Sequence, residues 1–274
     1  MPEEANNKNS PAIVMRGVAV SSVRDPARVV VENLEWTVGA GEFWVVAGPQ
    51  RSGKSDLLFL AGGMTSPARG SYEFLGEPMP IFEDERMAHR LRIGFGFDGG
   101  QLFNRMTVAE NVALPLRYHE NLSRADAEAR VAELLALTGL VDFARSSPAS
   151  LARNWQKRAG LARALMLKPE VLLLDNPLAG LDARHAAWWL NFLEQLSAGH
   201  SFMGGRRMTL VAATDDLRPW LGNNRKFAVI DAKKFSVIGT RGELTASDNL
   251  LVRELLSGEM AAPQSDTAIV NRKS

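Results

Sequence analysis

The sequence contains no cysteine, which excludes disulfides and thiolate metal sites. No apolar run approaches the roughly 20 residues that a membrane-spanning helix needs, so any role at a membrane is expected to pass through a partner. Bulk charge is missing too. Thirty-two Lys and Arg face 31 Asp and Glu, a net charge of +1, so no general attraction draws the chain to nucleic acid or to an anionic lipid surface. The four His are dispersed and none has metal-ligand spacing. There is no internal repeat and no low-complexity segment. The N-terminal residues, beginning Met1-Pro2-Glu3-Glu4, lack the apolar segment of a signal peptide, and the expected location is the cytoplasm. What is abundant is apolar character, 46% of 274 residues, enough for a large core and one or two domains.

One stretch organises the rest. Gly48, Pro49, Gln50, Arg51, Ser52, Gly53, Lys54 and Ser55 fit G-x-x-x-x-G-K-[ST], the phosphate-binding loop. The apolar run 43–47 before it reads as a buried strand and the run 56–60 after it as a helix, the context the motif requires. Backbone N–H groups of such a loop and the helix N-terminus hold phosphate oxygens. Lys54 is expected to neutralise the outer phosphates, and the Ser55 hydroxyl to ligate Mg²⁺.

Along the chain, residues 1–11 are polar and read as a tail. Strands are expected at 12–20, 28–38, 71–75, 91–97, 171–174, 208–213, 227–230 and 235–239. Residues 106–167 change character, with helices expected at 108–114, 124–137, 141–145 and 154–167. A further helix is expected at 184–196, where Trp188 and Trp189 read as packing residues. One or two short helices are expected within 243–260, and 262–274 reads as a polar tail. Arg206 and Arg207 follow two glycines and read as a solvated loop. Four apolar residues ending in Asp175, 120 positions beyond Ser55, read as the Walker B strand, whose Asp faces Mg²⁺ or its bound water. The helical region between the two motifs suits a transport-type ATPase.

Over residues 12–240 the chain resembles an ATP-binding cassette (ABC) nucleotide-binding domain. The general pattern is carried by Leu161 to Glu170 and by the run from Asp175 to Asp182. The stretch from Gly99 to His119, with Leu102, Phe103, Asn111, Val112, Pro115, Leu116 and Arg117, is similar to the ATPases of MCE-type (Mla-type) lipid transporters. Leu251 to Gly258 resembles their C-terminal extension. The resemblance implies an α/β P-loop fold with a mixed sheet and an inserted helical subdomain near 100–167, followed by a C-terminal extension over 241–274. It also implies ATP and Mg²⁺ (held by Ser55 and Asp175), a membrane permease docking near 98–117, and an MCE-domain protein beyond it. A second ATPase subunit is expected in a head-to-tail dimer on the cytoplasmic face of the inner membrane. Asp182 falls in the D-loop.

The departures from that pattern cluster. The Q-loop glutamine falls on Asp98, the water-polarising glutamate on Asn176 and the switch histidine on Thr214. The signature L-S-G-G-Q falls on Leu151, Ala152, Arg153, Asn154 and Trp155. Arg51 stands where the family has Gly, and Asp56 replaces a Thr whose hydroxyl reaches the α-phosphate. No aromatic lies near 22–28 to stack on adenine. Asn176 takes no proton, so general-base help worth about 10²–10⁴-fold is absent. Ala152 has no hydroxyl for the γ-phosphate. Asp98 retains an oxygen for Mg²⁺ on a shorter arm, and Asp56 brings negative charge toward phosphate unless Arg51 offsets it. Arg153 is either a solvated charge at a helix start or a cation reaching the partner's γ-phosphate. Trp155 is a candidate interface residue. Three readings stay open: a nucleotide-binding subunit that hydrolyses poorly, a working transport ATPase with unusual residues, and a soluble nucleotide-gated protein without a permease.

Overall fold

A computed structural model describes residues 11–258 apart from 81, 121 and 123. The expected N-terminal and C-terminal tails lie outside the described residues, the tail call's Pro11 excepted. The chain runs β1 (Pro11–Ser21), β2 (Val29–Gly39), β3 (Phe43–Ala47), α1 (Lys54–Ala61), β4 (Arg69–Phe74), β5 (Glu77–Pro78), α2 (Met87–Arg90) and β6 (Ile93–Gly96). It continues with α3 (Val108–His119), α4 (Arg124–Leu137), α5 (Arg153–Leu165), β7 (Val171–Asp175), α6 (Ala183–Ala198) and β8 (Thr209–Thr214). It closes with β9 (Arg225–Asp231), β10 (Lys234–Thr240), α7 (Arg241–Thr245) and α8 (Leu250–Ser257).

The strands form one mixed sheet in the order β5-β4-β1-β2-β10-β9-β3-β8-β7-β6. β9, β3, β8, β7 and β6 are mutually parallel, while β1 pairs antiparallel with β2 and β4. Parallel central strands are covered on both faces, which is why β3, β7 and β8 are unbroken apolar runs. Alternation along them feeds two cores. Phe43, Val45, Leu172, Leu174, Leu210 and Ala212 face the layer of α3, α5 and α6. Trp44, Val46, Val171, Leu173, Val211 and Ala213 face α1 and the β1–β2 ribbon. β2 exposes Glu32, Glu35 and Thr37 but buries Trp36, which meets Trp44 edge-on at 5.7 Å and Phe235 at 5.3 Å.

The expected strands are present with shifted ends. The run 91–97 shortens to β6, and the expected helix 141–145 is a single 3₁₀ turn, Val141–Phe143. Its apolar residues have helical spacing, but Gly139 at φ 70° closes α4 immediately before it, and Pro148 opens another short turn soon after. β5, α2 and the 3₁₀ turn before α2 carry too few residues for any periodicity to reveal them. The segment 243–260 resolves into α7 and α8; Glu259 and Met260 lie outside the described residues.

Candidate functional site

The loop 48–53 joins the C-terminal end of β3 to α1. Backbone geometry dictates several of its residues. Gly53 sits at φ 100°, where an added Cβ would also meet Val30 and Val31 at 3.1–3.2 Å, so only glycine fits. A Cβ on Gly48 would fall 2.5 Å from the Ile230 carbonyl oxygen. Arg51, at φ 64°, occupies the left-handed region with a side chain, a strain of about 1–3 kcal/mol for a residue other than glycine. Glycine at this position in the related pattern carries no such cost.

Lys54 is buried, and its Nζ donates to the carbonyls of Gly48 and Pro49, both at 2.7 Å. Burial pulls its ammonium below the ordinary lysine value, against the opposing pull of Asp215 and Asp175. The Ser52 hydroxyl is buried with no partner among the described residues. Ser55 Oγ donates to Asp175 Oδ1 at 3.0 Å, so the fold brings the two halves of the expected site together across 120 residues. Burial raises the Asp175 carboxyl. A hydroxyl and a carboxylate here are oxygen donors that fit Mg²⁺, an ion commonly held by one or two protein oxygens with phosphate and water completing its shell. Among the described residues no group of three or more acidic or His side chains converges to hold an ion alone.

Asp56, Thr214, Asn176 and Asp182 are engaged by their own chain. Asp56 Oδ1 accepts from the Val23 N–H at 2.7 Å, so its carboxylate caps the 22–28 turn over the start of α1. The Thr214 hydroxyl donates to the Asp216 carbonyl at 3.0 Å and accepts from the Asp216 N–H at 3.1 Å and the Trp220 indole at 3.2 Å. It is fully engaged and buried. Asn176 has φ 44°, and its carbonyl accepts from Lys157 Nζ at 2.6 Å. Asp182 caps α6, accepting from the His185 N–H at 2.9 Å.

Asp98 follows β6 and faces α5. One oxygen accepts from Arg153 at 2.9 Å and lies 3.0 Å from Lys157 Nζ; the other is 3.1 Å from Arg153. Burial pushes this carboxyl up, but the bonds from Lys157 and Arg153 outweigh that and hold it below the ordinary aspartate value. Arg153 is thus a largely exposed charge at the start of α5 that pairs with Asp98 of its own chain. Of the two expectations for it, the structure adds a third: an intrachain ion pair. Leu151 is core, and Ala152 stands at the N-cap of α5 without a side-chain oxygen to cap it. Asn154 is half-buried. Trp155 is half-buried as well, packed on Phe143 at 4.9 Å, His185 at 5.8 Å and the Arg158 guanidinium at 4.8 Å. The candidate interface residue therefore has a place inside its own chain. Trp188, stacked on Phe192 at 5.1 Å, and buried Trp189 pack as expected. Residues 204–207, with Arg206 and Arg207, are exposed between buried Met203 and Met208.

Sequence reasoning missed Lys157 and Asp215. The usable signal for Lys157 was the i, i+4 spacing from Arg153 on a helix that carries no acidic residue at all. Such a helix draws its counter-charge from another segment.

Beside the site, a groove of about 380 Å³ runs between β6, α3 and α5. Phe103 and Tyr118, 60% and 77% exposed, stand at its rim. Among the described residues no helix is long and apolar enough to cross a membrane.

A profile of the ABC transporter family matches residues 31–179. The chain is 31% identical to the intermembrane phospholipid transport system ATP-binding protein MlaF of Escherichia coli K12 over 237 residues, 86% of each protein. It is 37% identical to the methionine import ATP-binding protein MetN 2 of Pseudomonas aeruginosa over 161 residues, 58% of this chain and 48% of that one. In three dimensions it is similar to the ATP-binding cassette MJ0796, in a dimeric post-hydrolysis state bound to ADP and Pi. The TM-score is 0.71 at 25% identity, covering 81% of this chain and 95% of that one.

Proposed function

This chain belongs to the ABC transporter family of ATP-binding subunits, and from that premise we propose that it serves an MCE/Mla-type phospholipid transporter and holds ATP with little or no hydrolysis. The lipid assignment is supported by the match to the phospholipid transport protein, which covers 86% of both chains, whereas an equally identical match to a ribonucleotide-transport protein covers 63% of that protein. The methionine-import relative matches a shorter part. The groove beside β6, with Phe103 and Tyr118 at its rim, suits a helix from a membrane permease, and an MCE-domain protein would stand beyond that permease. A second ATPase subunit would close on this one, as in the dimeric cassette of similar fold.

The observation that carries the low-turnover reading is the engagement of the residues where catalytic groups are expected. Asn176 offers no base. The Thr214 hydroxyl is consumed by Trp220 and Asp216, and Asp98 by Arg153 and Lys157. In the head-to-tail arrangement one site would use this chain's P-loop, Asp98, Asn176 and Thr214, and the other its Leu151–Trp155 segment. The altered groups fall on both sites, so pairing with an intact subunit would not restore turnover. ATP then acts as a clamp on the closed dimer or as a ligand that stabilises the fold by mass action. The competing reading, a working ATPase, is favoured by one fact: Lys54, Ser55 and Asp175 are all in place.

Binding is the first test. Lys54→Ala removes a charge-assisted contact worth about 1.5–3 kcal/mol, so ATP affinity measured by calorimetry should fall roughly ten- to a hundredfold. Equal affinity in parent and variant would mean that this loop does not hold the phosphates.

A further inference from the structure

Three segments meet at one buried ammonium. Lys157, with its side chain 2% exposed, projects from α5 between the loops that follow β6 and β7. Its Nζ lies 3.0 Å from Asp98 Oδ1 and 2.6 Å from the Asn176 carbonyl oxygen, with the Pro177 carbonyl at 3.4 Å. Its three donors are thereby directed at the two loops. Asp175, which accepts from Ser55, is the residue before Asn176 and interacts electrostatically with both Lys157 and Asp98. A positive charge is thus built in beside Asp98 and at the end of β7, where it offsets the two carboxylates Asp98 and Asp175. The second cation on Asp98, Arg153, is 56% exposed and screened by solvent; Lys157 is not.

The loop carrying Asp98 cannot easily turn away. A Cβ on Gly100 would lie 2.3 Å from the Gln156 carbonyl oxygen, and one on Gly160 would lie 2.6 Å from Gly100 Cα. One turn further along α5, Arg163 donates to the carbonyls of Gly100 and Gln101 at 2.9 and 3.0 Å. The loop is stitched along α5, and Asp98 is held where Lys157 meets it.

We propose that Lys157 is a resident counter-cation of the nucleotide site, neutralising Asp98 and the end of β7 and taking over part of the charge balance that a divalent ion supplies. Asp98 is then a positioning residue for Lys157 and not a ligand of Mg²⁺. The proposal rests on the reading that this site binds nucleoside triphosphate. Its consequence is that ATP binds nearly as well without Mg²⁺ as with it, because the carboxylates it approaches are already compensated.

The test measures ATP affinity of the full chain by calorimetry in two arms, excess Mg²⁺ and EDTA. For the parent the two affinities should agree within about threefold. Lys157→Met keeps the length and apolar stem while exposing both carboxylates to the phosphates. It should weaken the EDTA arm about tenfold or more and leave the Mg²⁺ arm within about threefold. Asp98→Asn, nearly isosteric and independent of whether the methionine variant folds, should strengthen the EDTA arm and leave the Mg²⁺ arm unchanged. If Asp98 instead ligates the ion, Asp98→Asn weakens the Mg²⁺ arm, and the proposal is overturned. Equal loss in both arms for Lys157→Met overturns it too. A parent that binds ATP in neither arm overturns the nucleotide reading itself and this inference with it.

Discussion

Asn176→Glu is expected to leave steady-state phosphate release close to that of the parent, with a rise smaller than about tenfold, although a general base alone is worth about 10²–10⁴-fold where the rest of a site is intact. The new carboxylate would arrive without its companions. The Thr214 hydroxyl is tied to Trp220 and Asp216, Asp98 is bound to two cations, and Ala152 has no hydroxyl to offer a phosphate. Groups that act on one transition state work as a unit, so restoring one member recovers little. The substitution also adds a negative charge beside Asp175 and Asp98, which opposes the triphosphate. Phosphate release measured at saturating ATP and Mg²⁺ decides the matter. A hundredfold rise would mean that Asn176 is the sole lesion and that the remaining residues serve catalysis in an unfamiliar form.

Leu173→Ala should destabilise the fold by about 2–5 kcal/mol. Leu173 is fully buried on β7, among the α1-facing residues that include Leu57, Leu58 and Val211. Its neighbours β6 and β8 pair with β7 on both sides, so the backbone cannot collapse into the cavity left behind. At about 2–4 °C per kcal/mol for a domain of this class, the melting temperature should drop by roughly 4–20 °C. The same strand ends in Asp175, which meets Ser55, so nucleotide affinity should fall with stability. A urea midpoint unchanged from the parent would contradict the placement of β7 inside the sheet, between β8 and the edge strand β6.

The sheet and the phosphate loop were legible because their signals are local. β3, β7 and β8 are short apolar runs, and a strand–loop–helix with Gly48, Gly53 and Lys54 has few other structural meanings. Helical spacing placed most of the helices, and the family resemblance grouped those of 100–167 into one inserted subdomain. What escaped was determined by the tertiary fold. Asp98 and Arg153 stand 55 residues apart, and no pattern in either segment names the other as its partner. Asp56 looked like a misplaced charge because its acceptor role depends on the Val23 N–H across the fold. Thr214 stands where the resemblance puts the switch histidine; only the position of Trp220 shows where its hydroxyl goes. Residues 141–145 form a 3₁₀ turn in place of the expected helix because apolar spacing alone does not reveal the left-handed Gly139 that ends the preceding helix.

The central claim, that the chain holds ATP without consuming it, is tested most directly by a single-turnover experiment. The purified protein in excess is mixed with ATP and Mg²⁺, quenched at intervals, and its nucleotide is separated and identified. The expected result is added ATP that stays bound to the parent, is retained far less by Lys54→Ala, and yields no more ADP than a protein-free control. The incubation should last long enough for an ordinary enzyme turning over about ten times a second to complete thousands of cycles. Rapid conversion of the bound ATP to ADP, abolished by Lys54→Ala, would contradict the account and make this chain a working transport ATPase.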